Sequence, residues 1–206
     1  MRIHKITKGF TLLEMMVVLA IVSVIMAVVL FGYSAFSQNL SLSSAIQEMS
    51  VAIRQAQTYG LSVKESTVGA SKFSAGYGLY FTTTDPSNYY IFTDVNNDQK
   101  YDGGANCASS GDCLVEKVTL RNRVTITGLC GVVFGATTLV CPPGANVVGM
   151  TVVFLRPNPE ASIRFINNDN TFYGGTFQTG KITVSSQQGR TSFITIENTG
   201  QVSVQQ

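Results

Sequence analysis

Between Phe10 and Phe36 the chain runs for 27 residues with Glu14 as its single charge. Roughly 20 predominantly apolar residues suffice for a helix to cross the hydrocarbon core of a bilayer. This run therefore predicts a membrane-crossing helix, and it limits what the rest of the chain can fold into. A carboxylate near its start costs about 2.5–3.5 kcal/mol on insertion scales, which makes Glu14 a functional residue whose partner has to be found.

The flanks set the orientation. Arg2, His4, Lys5 and Lys8 precede the run, and no further basic residue occurs before Arg54. Basic residues are retained on the cytoplasmic side, so the expected topology is a single pass with the N-terminus in the cytoplasm and the remainder outside. A secretory signal would place a small-residue cleavage site after the apolar region. Here the small residue, Gly9, comes before it, where a backbone without a side chain can be held extended in a protease site.

Lys8-Gly9-Phe10-Thr11-Leu12-Leu13-Glu14, followed by apolar helix, resembles the class III signal of type IV prepilins and type II secretion pseudopilins. The resemblance implies cleavage by prepilin peptidase between Gly9 and Phe10, followed by N-methylation of Phe10. It also implies that Glu14 pairs with the amino terminus of a neighbouring subunit in a filament. Read from spacing alone, Glu14 shares a helix face with Phe10, four residues earlier, so an intramolecular pair with its own ammonium is the competing arrangement. The intermolecular pair is preferred, because a helix N-terminus already supplies partial positive charge without a dedicated partner.

Beyond the apolar run, Leu42, Ala45, Ile46, Met49, Ile53 and Ala56 recur at three- and four-residue spacing, the signature of one buried helix face. Gly60 is the expected C-cap. The expected organisation is a leader over 1–9, a transmembrane or filament-core helix over 10–36, and an amphipathic continuation over 37–60. An extracytoplasmic β-rich head follows over 61–206. Short strands are expected at 78–81, 89–92, 114–120, 124–127, 150–155, 162–166, 181–185, 193–197 and 201–204, with turns at Asp85-Pro86-Ser87-Asn88 and Asn198-Thr199-Gly200. The fold class is α+β: a long helix packed on an antiparallel sheet or sandwich.

Val153-Phe154-Leu155-Arg156-Pro157-Asn158-Pro159, Ala161-Ser162-Ile163 and the last two strands are similar to the head of the GspH/FimT group, pseudopilin H of type II secretion and related minor pilins. That resemblance implies a small β-sandwich head and a place near the filament tip. Its implied partners are other pilin or pseudopilin subunits, prepilin peptidase, an inner-membrane assembly platform with its ATPase, and membrane lipid. The segment 94–149, which holds every cysteine, is an elaboration outside that resemblance.

Cys107, Cys113, Cys130 and Cys141 fall where the medium is oxidising, and four cysteines allow three pairings. The nearest-neighbour set, Cys107 with Cys113 and Cys130 with Cys141, is preferred. The C-x5-C and C-x10-C spacings are unlike zinc knuckles, and the chain after the leader has no histidine.

Asp94, Asn96, Asp98 and Asp102 occupy positions 1, 3, 5 and 9 of a calcium-loop pattern. Gln99 and Ala105 replace its usual glycine at position 6 and acid at position 12, so Asp112 or Glu116 would have to complete the shell. A solvated Asn/Asp turn is the plain alternative. Calcium is thus the single cofactor to consider.

Catalysis is not expected. The sole histidine, His4, leaves with the leader, and no P-loop or Gly-x-Gly-x-x-Gly element is present. Removing the leader cations leaves eleven basic against twelve acidic side chains. Arg121, Arg123, Arg156, Arg164 and Arg190 are scattered, whereas a phosphate backbone needs clustered cations, so nucleic acid is not expected as a partner. The expected function is a membrane-anchored structural subunit of a type II secretion pseudopilus or type IV pilus. The alternative is a single-pass membrane protein whose head binds a ligand, calcium or DNA and never polymerises.

Overall fold

The computed structural model describes residues 9–62, 75–103, 112–141, 146–157 and 160–205. Two compact units meet between Gln38 and Asn39 and are treated separately. A 50-residue helix, α1 (Leu12–Leu61), runs through both.

In the first unit the large apolar side chains of α1 lie exposed among the described residues. Val22 is 44% exposed and Phe31 is 88% exposed, with the other large apolar residues of the run mostly between. A helix that is apolar all round is stable only inside lipid or protein. This one is long and apolar enough to cross a membrane.

The second unit is the head. Its sheet holds β1 (Gly76–Thr82), β2 (Asn88–Asp94), β3 (Cys113–Thr119), β4 (Thr125–Val133), β5 (Val147–Phe154), β6 (Ala161–Asn167), β7 (Phe172–Ser185), β8 (Thr191–Glu197) and β9 (Val202–Gln205). The strands run in the order β3-β2-β1-β5-β6-β7-β8-β9, and β4 joins through β7. All of these pairings are antiparallel. The 14-residue β7 is shared. Its first part pairs with β6 through Phe172 and Tyr173, and its second part lies between β4 and β8, where Ile182 faces both Leu129 and Ile194.

The expected helix stripe is the core. Leu42, Ala45, Ile46, Met49, Ile53 and Ala56 are buried in one cluster with Leu79, Phe81, Val152, Phe154, Ile182, Ile194 and Ile196. On β8 burial alternates along the strand, with Ile194 and Ile196 buried. On β9, Val204 is instead 39% exposed, because β9 is the last strand of the sheet and nothing covers its end.

Gly60 is not the helix cap. It is helical, and α1 continues to Leu61. A Cβ there would lie 2.6 Å from the Phe154 carbonyl oxygen and 2.8 Å from its Cβ, so glycine is needed because the helix passes directly over β5. The segment 94–149 contributes β3 and β4 to the sheet, and is therefore more than a surface decoration.

Candidate functional site: the Gly9-Phe10 junction and the carboxylate loop

Gly9 and Phe10 lie before the helix and are exposed, with Phe10 at 78%. Nothing approaches within 4 Å of where a Gly9 Cβ would be. No packing within the described chain therefore calls for glycine at this position. The leader residues 1–8 lie outside the described residues.

Thr11 begins the helix. Its Oγ1 accepts the Glu14 backbone N–H at 3.2 Å, and its carbonyl accepts the Met15 N–H at 3.3 Å. This is an N-cap, which satisfies one of the amides left over at a helix start. The Thr-x-x-Glu spacing is a capping-box signature legible in the sequence and overlooked there. It also corrects the expected geometry. Because Thr11 caps, Phe10 stays outside the helix and does not share a helix face with Glu14. The Glu14 side chain is exposed, in the first turn of an apolar helix.

In the head, the four cysteines divide. Cys130 and Cys141 form a disulfide that closes the chain around β4. Cys113, at the start of β3, is also disulfide-bonded. Cys107 lies outside the described residues.

The acidic loop leaves the end of β2. Asp94 and Asp112 are fully buried, and one carboxylate oxygen from each of Asp94, Asp98 and Asp112 falls within 4.8 Å of the others. Asp94 accepts the backbone N–H groups of Asp98 at 3.1 Å and Gln99 at 2.9 Å. Asp112 accepts those of Val95 at 3.3 Å and Asp102 at 3.2 Å. Asn96 donates to Asp98 at 3.0 Å and to Asp102 at 3.3 Å, which places all four loop positions on one small knot. Gln99 takes a φ of 63°, the left-handed backbone that the sixth position of a calcium loop ordinarily obtains with glycine. Asp112, the nearer in sequence of the two acids considered to complete the shell, is the one that joins the cluster. Glu116 is on β3 and exposed.

Burial first, then repulsion from neighbouring acids, raises both buried carboxyls: Asp94 to about 6 through Asp98, and Asp112 to about 7 through Asp94, Asp98 and Asp102. Backbone N–H donors oppose the rise without cancelling it. Lys100 lies 3.9 Å from Asp102, and among the described residues no cation lies within ion-pair distance of Asp94 or Asp112.

A long N-terminal helix ending in a curled antiparallel sheet, with a capped, exposed Gly9-Phe10 junction ahead of it, defines a type IV pilin-like protein. The family model "Prokaryotic N-terminal methylation motif" matches residues 5–30. Two proteins from Pseudomonas aeruginosa, each called "Fimbrial protein", are 31% identical over 78 residues, 38% of this chain and 51% of each relative. The chain thus spans about half the length of the curated relatives it matches. No solved structure matches significantly.

Proposed function

We propose that the protein is a structural, non-enzymatic subunit of a pilus-like filament, held in the inner membrane by α1 before assembly. In this reading prepilin peptidase cuts between Gly9 and Phe10, Phe10 is N-methylated, and the subunit joins other pilins through its apolar helix. The membrane platform then lifts it out of the lipid. One observation carries the proposal: the methylation motif leads into an apolar helix whose large apolar side chains lie exposed among the described residues. The head's likeness to the GspH/FimT group supports a minor pilin or pseudopilin, of a type II secretion pseudopilus or a type IV pilus. Mass spectrometry of the purified N-terminus tests it. A methylated Phe10 start is expected. An intact Met1 would favour the non-polymerising single-pass anchor.

For the head, calcium is proposed as the cation taken by Asp94, Asn96, Asp98 and Asp102, with Asp112 completing the shell. Three converging carboxylates, with no cation among the described residues within ion-pair distance of the two buried ones, support this. The raised carboxyls give the test its sign. In chelator the native head holds protons on Asp94 and Asp112 more tightly than the unfolded chain does. Stability therefore falls as pH rises from about 4 to about 7, and the penalty is complete above that range. The melting temperature in chelator is expected to be higher near about pH 5.5 than near about pH 8. Millimolar calcium should raise it more at the higher pH, where no proton competes for the oxygens. A melting temperature indifferent to calcium at the higher pH would leave the plain turn.

A further inference from the structure

The outer face of the sheet carries a cleft that filament assembly does not use and that shares only Asp102 with the proposed calcium loop. Tyr80 on β1 and Tyr90 on β2 are register partners. Their chain neighbours Leu79, Phe81, Tyr89 and Ile91 point into the core, so the two tyrosines point out. The loop after β2 folds back over this face. Thr151 Oγ1 donates to the Gln99 carbonyl at 2.9 Å, and Ser162 Oγ lies 2.6 Å from Gln99 Oε1. This fold-back sets the Tyr101 ring 5.5 Å from Tyr80, 5.4 Å from Tyr90 and 5.3 Å from Phe92. The cleft beside these rings has a volume of about 430 Å³ and is edged by Asp85, Asp102 and Asn170. Small-molecule sites typically occupy roughly 300–1,000 Å³, with apolar and aromatic walls and a few placed polar groups.

The polar rim is pre-set. Asp85 accepts the Tyr90 hydroxyl at 2.5 Å, the Asn88 amide at 2.7 Å and the Lys117 ammonium at 3.1 Å. These donors, the Tyr90 hydroxyl foremost, hold its carboxyl below the usual carboxylate range. A carboxylate has about four lone-pair sites, so one remains open for a ligand donor.

We propose that this cleft binds a neutral pyranose unit of a glycan, its C–H face laid on the tyrosine rings and its hydroxyls donating to Asp85 and Asp102. The two carboxylates at the rim reject anions. The cation position is already taken, since Lys117 lies 5.3 Å from the Tyr90 ring centre. A purely apolar ligand would strand the rim carboxylates. The rings remain only half-buried, which a tyrosine cluster serving the core alone would not require. A larger cleft of about 500 Å³ beside Arg190 has no aromatic wall.

The test uses the full chain in a polyoxyethylene detergent, which carries neither sugar nor ammonium headgroups. Maltotriose, cellotriose and tri-N-acetylchitotriose are the probes. With eight tyrosines and no tryptophan, the chain's tyrosine fluorescence reports directly, alongside saturation-transfer NMR on the sugar. At least one trimer is expected to saturate below about 10 mM, and Tyr90→Ala or Asp85→Asn to weaken it up to about tenfold. Thr84→Arg fills the cleft from an exposed position without touching the core and is expected to abolish binding. The proposal is overturned if no trimer saturates, if Thr84→Arg binds like the parent, or if tetramethylammonium binds and the sugars do not.

Discussion

Glu14→Ala is expected to leave the chain in the membrane fraction while removing it from filaments. The variant loses the single charge of the apolar run, so insertion becomes easier by about 2.5–3.5 kcal/mol. On the proposed reading it also loses the acceptor for a cleaved amine on an adjoining subunit. Truncating one partner of a desolvated charge pair costs about 2–5 kcal/mol, which at about 1.4 kcal/mol per decade is at least a tenfold loss of incorporation. Quantifying the subunit in sheared filaments against the membrane pool reads both quantities. Parent-level incorporation of Glu14→Ala would remove the electrostatic role. The N-cap would survive the change, since the Glu14 backbone and not its side chain donates to Thr11.

Phe165→Ala is expected to be the most damaging simple truncation in the head. Phe165 is fully buried on β6, and its ring meets Phe177 of β7 edge-on at 4.5 Å between centres. Gly131 of β4 closes over the pair: a Cβ there would lie 2.6 Å from atoms of both rings. Removing such a ring typically costs about 3–5 kcal/mol, a large share of the roughly 5–15 kcal/mol that holds an ordinary domain together. The denaturant midpoint of the detergent-solubilised chain should fall accordingly. Val115→Ala, at a residue 42% exposed on β3, should move it by less than about 0.5 kcal/mol equivalent. Equal effects from the two variants would mean that the Phe165 site is not the packed centre described.

Much of this was legible in the sequence, for identifiable reasons. The helix stripe from Leu42 to Ala56 was readable because a 3.6-residue period against a polar background has few other meanings. Strands β1, β2, β3, β5, β6, β8 and β9 lie within a few residues of the expected ranges, each being a β-rich run between turn residues. The first part of β7 was missed: Gly174, Gly175 and Gly180 interrupt the apolar pattern, and pairing to β6 and β4 overrides the local preference. Expected to stop at Thr127, β4 runs to Val133 for the same reason. At the N-terminus Glu14 was legible as an isolated charge, while the capping role of Thr11 was overlooked although its spacing was in view. Tyr101 could not have been placed at all from sequence. Its position depends on Gln99 anchoring the loop to β5 and β6, a long-range contact with no periodic trace.

Because β7 is hydrogen-bonded along its second part to neighbours on either side, both flanks of the head are tied to one strand. The central amides of β7 should be the last to exchange with solvent, and the head should melt in a single cooperative step. If the subunit is pulled from lipid by its anchor, as proposed, such an all-or-none module would resist partial unravelling under load.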